Sequence, residues 1–211
     1  MLNSTLVARL EQELHHWNAT VEANPTNAKA YVRRGMARFK LAQIQESIQD
    51  FDQAEQLQPS LTPYLWQRGL AYYYADRFEE GAKQFEIDLT VNGQDLEETV
   101  WRYLCIARSQ GGEVATRSLL PMRPDPRPFM RLVYDLYAGT CSPMEVLNQA
   151  AKEGTRGKFY SHLYVGLYSE VWQAESQARE HIAIAAERYP QDDYMWNLAI
   201  VHQHLRGWTQ T

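Results

Sequence analysis

Residues 28–61 read AKAYVRRGMARFKLAQIQESIQDFDQAEQLQPSL, and residues 62–95 follow as TPYLWQRGLAYYYADRFEEGAKQFEIDLTVNGQD. The second stretch repeats the first at an interval of 34 residues, so that Gly35 returns as Gly69 and Phe51 as Phe85. An interval of this length is typical of two-helix repeats, in which one unit cannot bury its own apolar face and packs against its neighbours. The pattern therefore predicts a helical repeat array.

Six positions of each stretch resemble the tetratricopeptide repeat (TPR). In this family an aromatic residue is expected at the fourth position of the repeat, Gly at the eighth and a small residue at the twentieth. Phe is expected at the twenty-fourth position, Ala at the twenty-seventh and Pro at the thirty-second. The first stretch holds Tyr31, Gly35, Ser47, Phe51, Ala54 and Pro59, and the second Leu65, Gly69, Gly81, Phe85, Asp88 and Gly93. Small residues let the two helices approach closely, while Phe fills the space beside them. The resemblance implies an all-α fold, a right-handed α-solenoid of antiparallel helix pairs with about ten or eleven helices.

Asp88 departs from this pattern, because the family expects a small alanine at that contact between repeats. An aspartate is costly there unless it is hydrogen-bonded or the packing opens to water. Two interpretations stay open: Asp88 caps or braces the next helix start, or it is an acidic site residue.

The rest of the chain keeps the pattern less well. A Trp-x-x-Leu-Gly run returns with Cys105 in place of Gly, and a unit starting at Phe159 recovers the pattern with Gly166, Ala178, Ala185 and Pro190. Because Gly166 falls five residues short of four periods from Gly35, the middle must contain shortened units. We expect one domain over 1–211: an N-terminal helix (1–27), repeats at 28–61 and 62–95, degenerate repeats (96–158), a repeat at 159–192 and a C-terminal capping helix (193–211).

Composition narrows the class of protein. No run of about eighteen apolar residues is present, so we expect no membrane span, and the start of the chain reads as an amphipathic helix rather than a leader. A net charge of −5 argues against nucleic acid as the main partner. Cys105 and Cys141 show neither paired nor metal-ligand spacing and favour free thiols in a reducing compartment. We therefore expect a cytoplasmic protein.

The proline-rich segment 121–128 interrupts the array. It holds four of the nine prolines together with Arg123 and Arg127, and this density of proline favours an extended backbone. The segment is either a rigid connector that resets the register between the two halves or a basic lip that meets an acidic partner.

The resemblance also implies a binding groove, because the first helix of each TPR unit lines the concave face. The residues at these positions suit a peptide with an aromatic or aliphatic anchor and some acidic character. Alternatively, Trp66 and Tyr73 are covered by the protein's own helices or by a second copy of the chain. The predicted partner-binding residues are Lys29, Val32, Met36, Phe39, Lys40, Trp66, Leu70, Tyr73, Tyr74, Arg102 and Ile106, with Arg123 and Arg127 of the proline-rich segment.

Two sharper functions find no support in the sequence. Chaperone-binding TPR domains hold a C-terminal carboxylate with basic and amide side chains at five positions, which here are Val32, Met36, Gln67, Thr99 and Tyr103. No phosphate loop, nucleophile motif or zinc spacing occurs either. We therefore expect no catalytic, cofactor or metal site and no enzymatic activity.

The predicted C-terminal helix, 193–205, carries apolar residues on more than one side. It either folds back into the groove of its own chain or packs against another chain in a homodimer. At the level of the whole chain, the layout resembles the bacterial TPR lipoprotein class, without its lipoprotein signal, and small TPR proteins of photosynthetic organisms that have no assigned activity. We expect a protein-binding adaptor or assembly factor, with a self-associating structural protein as the alternative.

Overall fold

A computed structural model describes residues 4–208 of the chain. Within this range every regular element is a helix and no strand is found, which confirms the all-α prediction. The range holds twelve α-helices and one 3₁₀ helix, more than the ten or eleven predicted. The outermost residues of the predicted segments 1–27 and 193–211 lie outside it.

The packing divides the chain into two compact units that meet in sequence between Gly93 and Gln94. This boundary coincides, within two residues, with the predicted end of the repeat at 62–95. The expectation of a single domain over 1–211 stays a prediction. No helix in the described range is long and apolar enough to cross a membrane.

The first unit contains the two best-formed repeats as two helix pairs, α2 with α3 and α4 with α5. Its elements are α1 (Ser4–Ala23), α2 (Ala28–Lys40), α3 (Ile44–Leu57), the 3₁₀ helix (Pro59–Tyr64), α4 (Trp66–Tyr74) and α5 (Phe78–Asp88). The Thr62-Pro63 pair lies inside the 3₁₀ helix, and α4 starts only at Trp66.

The second unit contains the degenerate middle and the recovered repeat. Its elements are α6 (Leu96–Gln110), α7 (Gly112–Arg117), α8 (Pro128–Tyr137), α9 (Pro143–Ala150), α10 (Thr155–Val171), α11 (Glu175–Arg188) and α12 (Tyr194–Leu205). Helices α6 and α9 begin with a side-chain cap. The Asp95 side chain accepts a hydrogen bond from the Glu98 amide, and Ser142 with Glu145 forms a capping box.

Close approach of the paired helices confirms the predicted role of the glycines. A Cβ atom on Gly35 would lie 3.0 Å from the Phe51 ring, and one on Gly69 would lie 2.7 Å from the Phe85 ring. Gly166 faces the side chain of Ile182 in the same way, at 2.8 Å. Each pair therefore closes where a missing side chain on the first helix receives a large apolar side chain from the second.

The turn between paired helices has the same backbone conformation in three repeats. Ala42, Asp76 and Gln173 have φ values of 58°, 57° and 59°, in the left-handed region that non-glycine residues rarely adopt. In each case the next amide donates to the carbonyl five residues earlier at 2.9 Å, which is the Schellman closure of a helix end. The three repeats thus share this turn although none of them has glycine at the left-handed position.

Ala42→Gly should stabilise the protein by ~0.5–1 kcal/mol, because glycine relieves the left-handed penalty that alanine carries at this position. Asp76→Gly should gain less, since aspartate tolerates this conformation better than alanine. Urea unfolding measures both. Ala75→Gly is the matched control, because Ala75 has a φ of −91° and gains nothing from glycine. If Ala42→Gly loses as much stability as the control variant, the expected backbone strain at Ala42 is contradicted.

Candidate partner-binding surface

Helices α2 and α4 contact each other at two places in the first unit. The Gln67 side-chain amide lies 3.8 Å from the Met36 sulfur, and the rings of Phe39 and Tyr74 meet edge to face at 5.7 Å between centroids. These are the first helices of consecutive repeats, so they are the helices to which the TPR resemblance assigns a binding face.

Four of the predicted residues give this pair of helices a surface of mixed character, which we call the α2–α4 surface. Lys29 is exposed, while Val32, Met36 and Trp66 are partly exposed. Lys29, Val32 and Met36 share one side of α2 by their spacing, and Trp66 occupies in α4 the repeat position that Val32 occupies in α2. Lys40, also predicted here, forms an ion pair with Glu13 of α1 at 2.8 Å.

Five other predicted residues are buried, which corrects their assignment to a binding face. Little or none of their side chains remains for a partner to contact, because aromatic rings such as Tyr73 and Tyr74 pack on one another in the interior. Of the two residues whose covering was left open, Tyr73 is covered and Trp66 is partly exposed. The buried residues are Phe39 at 0% exposure, Leu70 at 1%, Tyr73 at 0%, Tyr74 at 9% and Ile106 at 7%.

Arg102 is one of three arginines that recur at the repeat interval, a pattern that was not among the predictions from the sequence. Arg34, Arg68 and Arg102 are each 34 residues apart, and each donates a hydrogen bond to the residue sixteen positions later. The acceptors are the Asp50 carboxylate at 2.7 Å, the Gln84 side-chain oxygen at 2.8 Å and the Ser118 carbonyl at 3.0 Å. The recurrence of arginine at the seventh position of the repeat is visible in the sequence and could have indicated these contacts. Arg102 therefore makes a contact within its own helix pair.

In the second repeat a neutral Gln84 replaces the aspartate that meets the arginine in the first. Arg68 instead pairs with two carboxylates of the preceding helix, Asp52 at 3.0 Å and Glu55 at 2.7 Å. Its hydrogen bond lowers the pKa of Glu55. The charge of this nearly buried arginine is thus balanced between repeats rather than within one.

Asp88 takes part in the same network. It is 1% exposed and accepts a hydrogen bond from the Gln84 side-chain amide at 2.7 Å, and its Oδ2 atom has no hydrogen-bond partner among the described residues. Burial raises the pKa of Asp88 from 3.8 to about 7. The interpretation that Asp88 braces the next helix start is not what its contacts show, because its side chain bonds within α5.

Asp88→Asn should change how stability depends on pH. The folded state holds the Asp88 proton more tightly than the unfolded state, so the carboxyl stabilises the fold below its ordinary pKa of 3.8, and this contribution is lost as the pH rises through about 7. The variant should therefore exceed the wild type by ~1–4 kcal/mol at pH 8, given ~1.4 kcal/mol per pKa unit, and by less at pH 5.

Urea unfolding at the two pH values measures this difference. Glu79→Gln, at an exposed position of the same helix, is the control and should change the stability by less than ~0.5 kcal/mol at both. A difference between Asp88→Asn and the wild type that is equal at pH 5 and pH 8 would contradict the raised pKa.

The proline-rich segment 121–128 is bonded to its own unit through Arg127. This guanidinium pairs with Asp125 at 2.8 Å and with Glu97 of α6 at 3.0 Å, and its hydrogen bonds lower the pKa of Asp125. Arg123 is exposed, and its backbone amide donates to the Gln94 side chain at 2.9 Å. These contacts favour the connector interpretation for Arg127 and leave Arg123 alone with an exposed basic side chain.

Arg127→Ala should lower the free energy of unfolding by ~1–3 kcal/mol, because it leaves the partly buried Glu97 and Asp125 without their shared cation. Arg123→Ala should change it by less than ~0.5 kcal/mol. Urea denaturation of the two variants compares them directly. If both variants have the same free energy of unfolding, Arg127 does not act as a connector.

Helix α12 buries most of its apolar side chains within this chain. Met195, Leu198, Ala199 and Val201 are buried, and the Trp196 indole donates to the Ala186 carbonyl of α11 at 2.9 Å. Leu205 remains 37% exposed. The apolar excess of this helix therefore does not require a second copy of the chain, and the homodimer stays a prediction.

Comparison with known proteins gives one distant likeness. No protein-family model matches the chain. It is 22% identical over 111 residues to the Hsp70-Hsp90 organizing protein of Triticum aestivum, a TPR protein. The match covers 51% of this chain and 19% of that protein, so the chain spans about a fifth of the length of this relative. The likeness agrees with the TPR resemblance over half of the chain.

Proposed function

We propose that this protein is a non-catalytic adaptor or assembly factor of the cytoplasm that binds a segment of a partner protein on the α2–α4 surface. The observation that carries the proposal is the partial exposure of Val32, Met36 and Trp66 on two helices whose other large apolar side chains are mostly buried. Tryptophan is a frequent energetic centre of interfaces, and methionine adapts its shape to different ligands.

The charge beside this surface suggests what the partner segment carries. Lys29 is exposed at the start of α2, whereas Lys40 at its end is already paired with Glu13. A segment with one aromatic or aliphatic anchor and an acidic residue near Lys29 suits this arrangement. The anchor supplies the affinity, and the ion pair steers association and sets the orientation.

The proposed partner is not a chaperone tail held by its terminal carboxylate, although the wheat relative is named for Hsp70 and Hsp90. None of the five positions that would form such a grip carries a basic residue. Thr99 and Tyr103, which occupy two of them, are 1% exposed. The five positions therefore lack the cations of such a grip, and two of them are covered.

A displayed library of random peptides, selected on the immobilised protein, tests the proposal. The selected peptides should share an apolar anchor with an adjacent acidic residue. Fluorescence polarisation then measures their affinity for the wild type, Trp66→Ala and Lys29→Glu. Trp66→Ala should weaken binding about thirtyfold, as expected for an interface centre worth ~2 kcal/mol, and Lys29→Glu should remove the preference for the acidic residue.

Trp172→Ala is the matched control, because Trp172 is an exposed tryptophan of the second unit at 45% exposure. It should leave peptide affinity within twofold of the wild type. Equal losses in the two tryptophan variants would overturn the proposed surface. Light scattering adds a separate check, since a dimer that dissociates on Trp66→Ala would assign the α2–α4 surface to a second copy of the chain.

A further inference from the structure

Two histidines of the second unit face each other across the helix pair α10 and α11. The Nδ1 atoms of His162 and His181 lie 3.1 Å apart, and both side chains are partly exposed. The His162 ring is also stacked on Tyr189, with 5.8 Å between centroids and 26° between planes. No short sequence motif indicates this pair, whose members are nineteen residues apart.

In this repeat the histidine pair takes the place of the contact that the first two repeats make between their seventh and twenty-third positions. His181 occupies the twenty-third position of its repeat, where Asp50 and Gln84 accept from an arginine in the first two repeats. The arginine position of this repeat holds Val165. Without an arginine to meet, the twenty-third position is bonded instead to His162, at the fourth position of the same repeat. The histidine pair is therefore a local departure from the contact seen in the first two repeats.

At 3.1 Å the two nitrogens are within hydrogen-bond distance of each other, and the same separation also fits two ligands of one metal ion. Two imidazole nitrogens bound to one ion at ~2.0–2.1 Å, with ~90–110° between the bonds, lie ~2.9–3.4 Å apart. Imidazole suits zinc and copper ions, whereas magnesium prefers oxygen ligands.

We propose that His162 and His181 together bind one zinc or copper ion. Within residues 4–208 no group of three or more His, Cys, Asp or Glu side chains could hold a metal. The ion would therefore have two protein ligands, with water in its remaining positions, and would link α10 to α11 at the protein surface.

Isothermal titration of the purified full chain with zinc sulfate, and separately with copper sulfate, tests this site. The wild type should bind one ion, and His162→Gln and His181→Gln should each weaken binding at least about tenfold, the low end of what even outer-shell changes cost a metal site. Copper should bind more tightly than zinc, and magnesium should not bind. His204→Gln, which changes an exposed histidine of α12, is the control and should bind like the wild type.

His181→Cys separates the loss of a ligand from the loss of structure, because a thiolate also binds zinc. This variant should bind zinc more tightly than His181→Gln, and zinc should raise the melting temperature of the wild type and of His181→Cys more than that of His181→Gln. Affinities for zinc and copper that are unchanged in either glutamine variant, or a wild type that binds neither ion, would overturn the proposal.

Discussion

The contact between a small residue on one helix and a large apolar residue on the next is the constraint on which the helix pairs depend. Gly35 with Phe51, Gly69 with Phe85 and Gly166 with Ile182 bring backbone and side chain to van der Waals distance. A helix of the length found here is marginal in isolation, so the burial achieved at this contact is what makes each pair stable. The faces left open by this packing remain available for binding.

Charged residues adjust this packing from one repeat to the next. The first repeat places a full carboxylate, Asp50, against Arg34 and Arg38, so the charge is balanced inside one helix pair. The second repeat has Gln84 at that position and takes its carboxylates from the preceding helix. Asp88 is then left with an amide as its hydrogen-bond donor, and a buried carboxyl in this situation favours its neutral form.

Much of the fold was predictable from the sequence, because close helix packing leaves a periodic trace in residue size. The interval between Gly35 and Gly69 predicted the helix pairs. The binding face was less predictable. Repeat position states which side of a helix a residue occupies, but it does not state what covers that side. Phe39 and Tyr73 were therefore placed on an open groove and are buried.

Contacts between residues distant in sequence were the least predictable part. The pairing of Arg127 with Glu97 spans thirty residues, and that of His162 with His181 spans nineteen. No short motif records either pair, since each joins residues from different elements of the fold. The recurring arginine at positions 34, 68 and 102 differs, because its spacing equals the repeat and was visible in the sequence.

The shared left-handed turn has a consequence for how the chain folds. Turn closure and the glycine contact both join residues within about twenty positions of each other, so each helix pair assembles from local interactions that cost little loop-closure entropy. Such pairs can form independently and early, in any order along the chain. The ion pair of Arg127 with Glu97 closes a longer loop, and its formation is expected to follow that of the pairs on either side of it.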